Sequence, residues 1–164
     1  MGDVLIRRTV TDLGVDLMVE IPDGWLEFED LGPILAIGGP LGDGEGTLQP
    51  SLQVDVDQVA DDDDDDVFGS YIRSIGELPE VEVLSDRRGE RGGRPASMTT
   101  TTYRNPESGG LQLEVTFAVL VEDPYRAVVR ATGTCGGSAS ESVIRRLGEI
   151  VTSLGVEPTV PEHS

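Results

Sequence analysis

Six consecutive aspartates, Asp61 to Asp66, are the densest group of potential metal ligands in the chain. Calcium loops space their carboxylates, as in D-x-D-x-D-G, so that alternate side chains converge on one ion. Contiguous aspartates repel one another and cannot all converge. The twelfth position of such a loop falls on Tyr71 or Ile72, where a bidentate Glu is required. A second chemistry fits better. The run stands directly before an apolar stripe at helical spacing, where a carboxylate can N-cap the first turn and its charge complements the helix dipole. The run therefore reads as a helix entrance and solubilising loop, with an electrostatic docking patch as the alternative and no metal site expected.

The other reactive side chains are few. Cys135 is the only cysteine and His163, near the C-terminus, the only histidine. A thiol nucleophile needs a base or a positive neighbour, so Cys135 reads as a buried bystander. A Ser-His-Asp or Cys-His arrangement is unavailable within the domain. No P-loop or CxxC motif occurs. The glycines of Gly38 to Gly46 lack the order of a dinucleotide fingerprint, and Asp43 and Glu45 would repel a phosphate. A pair of carboxylates for acid/base work could be assembled in space from the many acids, and spacing in sequence does not address that. No catalytic residue, cofactor or metal is expected. Arg87, Arg88, Arg91 and Arg94 form the one basic cluster, which pairs within the molecule or contacts an acidic partner.

Charge narrows the partners. The chain has 31 acidic residues against 12 basic ones, all arginine, for a formal charge of −19. Nucleic-acid phosphates and anionic membranes would be repelled. A basic protein surface would be attracted. No run approaches the roughly 20 apolar residues that span a bilayer. A lone cysteine and the lack of an apolar leader or lipobox lead to the expectation of a cytoplasmic protein.

The elements that must position these residues are mostly strands. Val15, Leu17, Val19 and Ile21 alternate with Asp16, Met18 and Glu20, and Leu52, Val54 and Val56 with Gln53, Asp55 and Asp57. Phe68, Tyr71, Ile72, Ile75 and Leu78 mark one face of a helix that Gly76 and Pro79 end. Val81 and Val83 begin a strand, and Arg87 to Pro95 reads as a turn-rich connection. Ala96 to Arg104, Leu111 to Glu122 and Tyr125 to Gly133 follow as strands joined by short turns, hence antiparallel. Val143, Leu147, Ile150, Val151 and Leu154 define a last helix. The expected fold class is α+β: an antiparallel sheet with two main helices packed on it, in a single domain over 1–155 with a flexible tail over 156–164. One face of the longest strand is apolar. The other shows Gln112, Glu114, Thr116, Ala118 and Leu120, and reads as a solvated surface or an open docking face.

This order resembles the Mog1p/PsbP-like superfamily, nearest the actinobacterial LpqN/LpqT and the DcrB-like branches. The carriers are VEIPDGW (Val19 to Trp25), RGGRPASMTTTTYR (Arg91 to Arg104), the closing hairpin LQLEVTFAVLVEDPYRAVVRATG and the final helix SASESVIRRLGEIVTSL. The missing lipobox departs from the lipoprotein branch. The resemblance implies a protein-binding scaffold: PsbP proteins support a photosystem, the Mog-type member binds the GTPase Ran, and Eag-type relatives shield apolar segments of secreted effectors.

The expected function is a non-enzymatic protein-binding module, an adaptor or secretion-chaperone-like protein, using an exposed sheet face. The alternative is a carrier holding a small apolar ligand or lipid between sheet and helices. The expected partner is a secreted effector or a basic surface, met by a monomer or weak dimer. Contact residues are expected at Trp25, Asp55, Asp57, Arg87, Arg88, Arg91, Glu114 and Thr116. For Trp25, a core plug at a strand end competes with an interface anchor.

Overall fold

The computed structural model describes residues 3–10, 14–22, 25–27, 35–38, 50–58, 68, 76–78, 80–104, 109–122, 126–136 and 141–158. The aspartate run and most of the helix expected behind it lie outside the described residues. Phe68 alone of that stripe's first turns is described, and it is helical.

Among the described residues, ten strands fall into two sheets. Strands β1 (Asp3–Val10), β2 (Val15–Pro22) and β10 (Gly155–Pro158) form a three-stranded sheet in the order β1-β2-β10. Strands β3 (Leu26–Glu27), β4 (Leu35–Gly38), β5 (Ser51–Gln58), β6 (Glu82–Arg91), β7 (Arg94–Arg104), β8 (Leu111–Val121) and β9 (Ala127–Gly136) form a seven-stranded sheet in the order β3-β4-β5-β9-β8-β7-β6. Every pairing is antiparallel. Apart from Phe68, the described helical residues form α1 (Glu141–Thr152). The architecture is thus α+β as expected, with one correction, two sheets rather than one; of the two expected helices the last is described, and most of the first lies outside the described residues.

Two local expectations also change. The stretch Arg87 to Pro95 is not a loose connection. It is the tip of the β6–β7 hairpin, where Arg91 pairs with Arg94 around Gly92 and Gly93. Both glycines have positive φ, 61° and 81°. A two-residue turn of this kind needs left-handed backbone at both centres, which matches the twist of the flanking strands and which glycine adopts without strain. The expected tail is not loose from its start either, because residues 155–158 pair with β2.

The core lies between α1 and one face of the large sheet. Leu52, Val54, Val115, Phe117, Val119, Val129 and Ala131 project from that face, and Leu147, Ile150, Val151 and Leu154 meet them from the helix and its exit. From the small sheet, Val15, Leu17, Val19 and Ile21 join the same cluster. Fully burying each such side chain is worth about 1.5–3 kcal/mol. Trp25 and Met98 pack against its edge, half-buried.

The helix comes close because β9 carries no side chain at one point. A Cβ built on Gly133 would stand 3.0 Å from Leu147 Cδ2 and 3.3 Å from Val151 Cγ1. Both helix residues are fully buried, so neither has room to retreat.

Polar contacts finish the junction. Arg91 donates from Nη1 to the carbonyl of Leu154 at 2.9 Å, and Arg94 donates from Nη1 to that of Val156 at 2.8 Å. The Arg91 guanidinium also lies 4.6 Å from the centre of the Phe117 ring, a cation–π distance. At the other side the Glu20 amide donates to Ser153 Oγ at 2.9 Å. Hairpin tip, helix exit and small sheet are tied together there.

Gly133→Ala should therefore destabilise the fold by about 1–3 kcal/mol through overpacking. The same change in a Leu147→Ala background should cost much less, since the clashing atoms are gone. Denaturant melts of the two singles and the double form a cycle that checks this, and simple additivity would contradict it.

Candidate functional site

The second face of the large sheet collects most of the expected contact residues. Register places Asp55, Arg130, Ala118, Ser97 and Arg88 in one row across β5, β9, β8, β7 and β6. The adjacent row is Gln53, Thr132, Thr116, Thr99 and Asp86. A third runs Thr134, Glu114, Thr101 and Val83. Hydroxyls thus fill the centre and charges stand at the two sides.

This face is not an open surface. Ser97, Thr99, Thr101 and Thr116 are each less than 5% exposed, and Ala118, Leu120 and Val128 are buried as well. Phe68 packs with Ala118, Leu120 and Val128 in a second apolar cluster. The Arg88 guanidinium lies 5.6 Å from the centre of the Phe68 ring, so the aromatic is held from the edge strand too. The gap lined by Phe68, Ser97, Thr99, Thr116, Ala118 and Arg130 is too tight for a water molecule. Alternation in sequence showed which residues share this face. It did not show that an aromatic from a distant segment would cover them.

The charged sides differ in chemistry. At the β5–β9 side, Arg130 Nη1 meets Asp57 Oδ2 at 2.6 Å. Asp55 lies opposite Arg130 in the register. Burial pushes the Asp55 carboxyl above its ordinary value, the neighbouring Asp57 adds to the rise, and Arg130 opposes both. At the far end, Tyr103 donates to Glu114 Oε1 at 3.1 Å and accepts from Gln112 Nε2 at 2.9 Å. Burial, with the charge of Glu114 beside it, raises the Tyr103 phenol. At the β6 side Arg88 pairs with Asp86.

Five of the eight expected contact residues, Asp55, Asp57, Arg88, Glu114 and Thr116, share this face. Thr116 is buried at its centre. Arg87 and Arg91 face the other way on β6; Arg87 is exposed, whereas Arg91 is committed to Phe117 and Leu154. Trp25 is partly buried and packs at the rim of the main core. Of the four arginines in the basic cluster, three are held within the molecule. Cys135 is fully buried and burial raises its thiol, in keeping with a bystander. Among the described residues no group of acids, histidine or cysteine is arranged to hold a metal ion.

Sequence reasoning missed an adjacent pair of exposed apolar residues. Val83 and Leu84, 43% and 52% exposed, sit on β6, the outermost strand of the large sheet. Pairing with β7 shifts register between Val83 and Ser85, so Leu84 is the extra residue of a bulge. The available signal was the break in alternation, two adjacent apolar residues after Val81 and Val83 had set a period of two.

Asp55 makes stability depend on pH. A carboxyl whose folded pKa exceeds its unfolded value binds more protons folded than unfolded between the two. Stability then falls as pH rises through that window, and the ionised Asp55 costs stability at neutral pH. Asp55→Asn should raise the thermal midpoint by about 1–3 °C at pH 7, modest because the group is half-exposed. The gain should vanish as pH falls below the ordinary aspartate value of 3.8. Calorimetry across pH checks this; a gain unchanged at low pH, or a loss at pH 7, would contradict it.

No protein-family model matches the chain, and no curated protein matches it by sequence. Solved structures do. LpqN, involved in cell envelope biogenesis of Mycobacterium tuberculosis, superposes with a TM-score of 0.69 at 13% identity, over 95% of this chain and 92% of that one. The Ran-binding protein Mog1p of Saccharomyces cerevisiae gives 0.63 at 9% identity, over 94% and 95%. Cyanobacterial PsbP from Synechocystis gives 0.57 at 9%, over 95% and 94%. Likeness across nearly the whole of each chain, together with the order of strands and the closing helix, shows that this protein has the Mog1p/PsbP-like fold.

Proposed function

We propose that the chain is a non-enzymatic protein-binding module, an adaptor or chaperone-like protein of the cytoplasm, that meets its partner at the rim of the large sheet rather than on its face. The observation that carries this is β6. It is a ten-residue strand at the end of the sheet, exposed along nearly its whole length, with Val83 and Leu84 in solvent. Adjacent exposed apolar residues on a sheet edge cost solubility unless something covers them.

The fold itself supports binding, since the yeast neighbour is a Ran-binding protein, although fold alone does not fix function. The charge of −19 favours a basic partner surface. The carrier reading gains nothing from the gap beneath Phe68, which does not hold even a water molecule.

Tagged protein should retain a partner from native lysate at low salt. Leu84→Arg should reduce the retained partner by about tenfold, as removal of an apolar anchor does. Leu5→Arg, a comparably exposed position on β1, should not. Retention that is indifferent to Leu84, or no retained protein at all, would contradict the reading.

A further inference from the structure

An edge strand presents a row of unpaired N–H and C=O groups, and only another extended strand complements that row along its length. The first candidate for such a strand is a second copy of the chain. Charge opposes it. Six of its ten residues are charged: Glu82, Asp86, Arg87, Arg88, Glu90 and Arg91.

Neighbouring residue pairs in an antiparallel ladder alternate between two hydrogen-bonding types. A two-fold axis through the ladder must therefore pass where one residue faces its own copy. Only two such registers overlap nearly the whole of β6. Centred on Asp86, Asp86 faces Asp86 and Glu82 faces Glu90. Centred on Arg87, Arg87 faces Arg87, and Asp86 faces Arg88 on either side of it. Like charges directly opposite destabilise a strand pair. Like charges oppose the Asp86-centred register, and the charge of −19 on each copy opposes both, while Val83 and Leu84 stay uncovered.

The charges that remain available on β6 indicate what it would accept. Arg88 is paired with Asp86 and stacked on Phe68, and Arg91 is committed to Leu154 and Phe117. Glu82, Glu90 and Arg87 are left exposed, two acids against one base, on a chain of charge −19.

We propose that β6 accepts an extended basic and apolar segment of a partner protein as an eighth strand of the large sheet, its apolar residues covering Val83 and Leu84. The inference rests on the protein-binding reading and specifies the geometry and chemistry of the partner.

A synthetic peptide of alternating lysine and valine, about eight residues long to match a strand, is the probe. The comparison is the same peptide with glutamate for lysine. Amide shifts and hydrogen exchange should show saturable binding of the lysine peptide with protection confined to β6. The glutamate peptide should bind at least about tenfold more weakly. The double change Val83→Ser with Leu84→Ser should weaken the lysine peptide by about tenfold, and Leu5→Ser should leave it unchanged. Both sites are exposed, and a thermal melt confirms that the variants fold.

Protection absent from β6, equal binding of the two peptides, or a dimer in sedimentation that Leu84→Ser dissolves would overturn the proposal. If a co-purified partner depends on Leu84 while the peptide leaves β6 untouched, strand addition fails and the protein-binding reading stands. If the co-purified partner is indifferent to Leu84, that reading fails first.

Discussion

Strand β8 is covered on both sides, and the rest of the molecule is arranged around that burial. From Val115 to Val121 every residue is buried. The odd-numbered side chains need α1 and the small sheet over them, which is why Gly133 leaves room for Leu147 and why Arg91 and Arg94 hold the chain as it leaves the helix. The even-numbered ones, Thr116, Ala118 and Leu120, are buried on the other side, where Phe68 packs with Ala118 and Leu120. Removing either layer would expose apolar area worth several kcal/mol against a total stability of about 5–15 kcal/mol.

Covering both faces of the central strands decides where a partner can touch. A sheet with one wet face offers a broad platform. This sheet offers its periphery. The β5–β9 side carries Asp55, Asp57 and Arg130, partly neutralised among themselves. The β6 side is the end of the sheet among the described strands, with two exposed apolar residues, on a chain whose charge of −19 opposes self-pairing.

Much of this was legible in the sequence, for definite reasons. Alternation over Leu111 to Val121 placed every side chain of β8 on its observed face, because a strand has a period of two regardless of context. The stripe through Val143, Leu147, Ile150 and Val151 found α1 for the same kind of reason. Division into two sheets was not legible, since period two says that a strand exists and not what it pairs with. The two-residue hairpin at Gly92 and Gly93 was legible and overlooked amid the arginines. The closed face was out of reach: Thr116 and Thr99 look like solvated residues, and their burial depends on long-range packing that includes Phe68. Leu84 was half-visible, as a break in alternation whose exposure only the bulge explains.

The central claim is that the second face is closed and the β6 edge is open. Thiol labelling of single cysteines tests it most directly, with Cys135 fully buried and so silent. Thr116→Cys, nearly isosteric, should react at least about 100-fold more slowly than Leu84→Cys in the native protein, because it opens only through local unfolding. Both should react alike in denaturant. Native rates that are equal would mean that the face is open to solvent, and would return the docking site from the edge to the sheet.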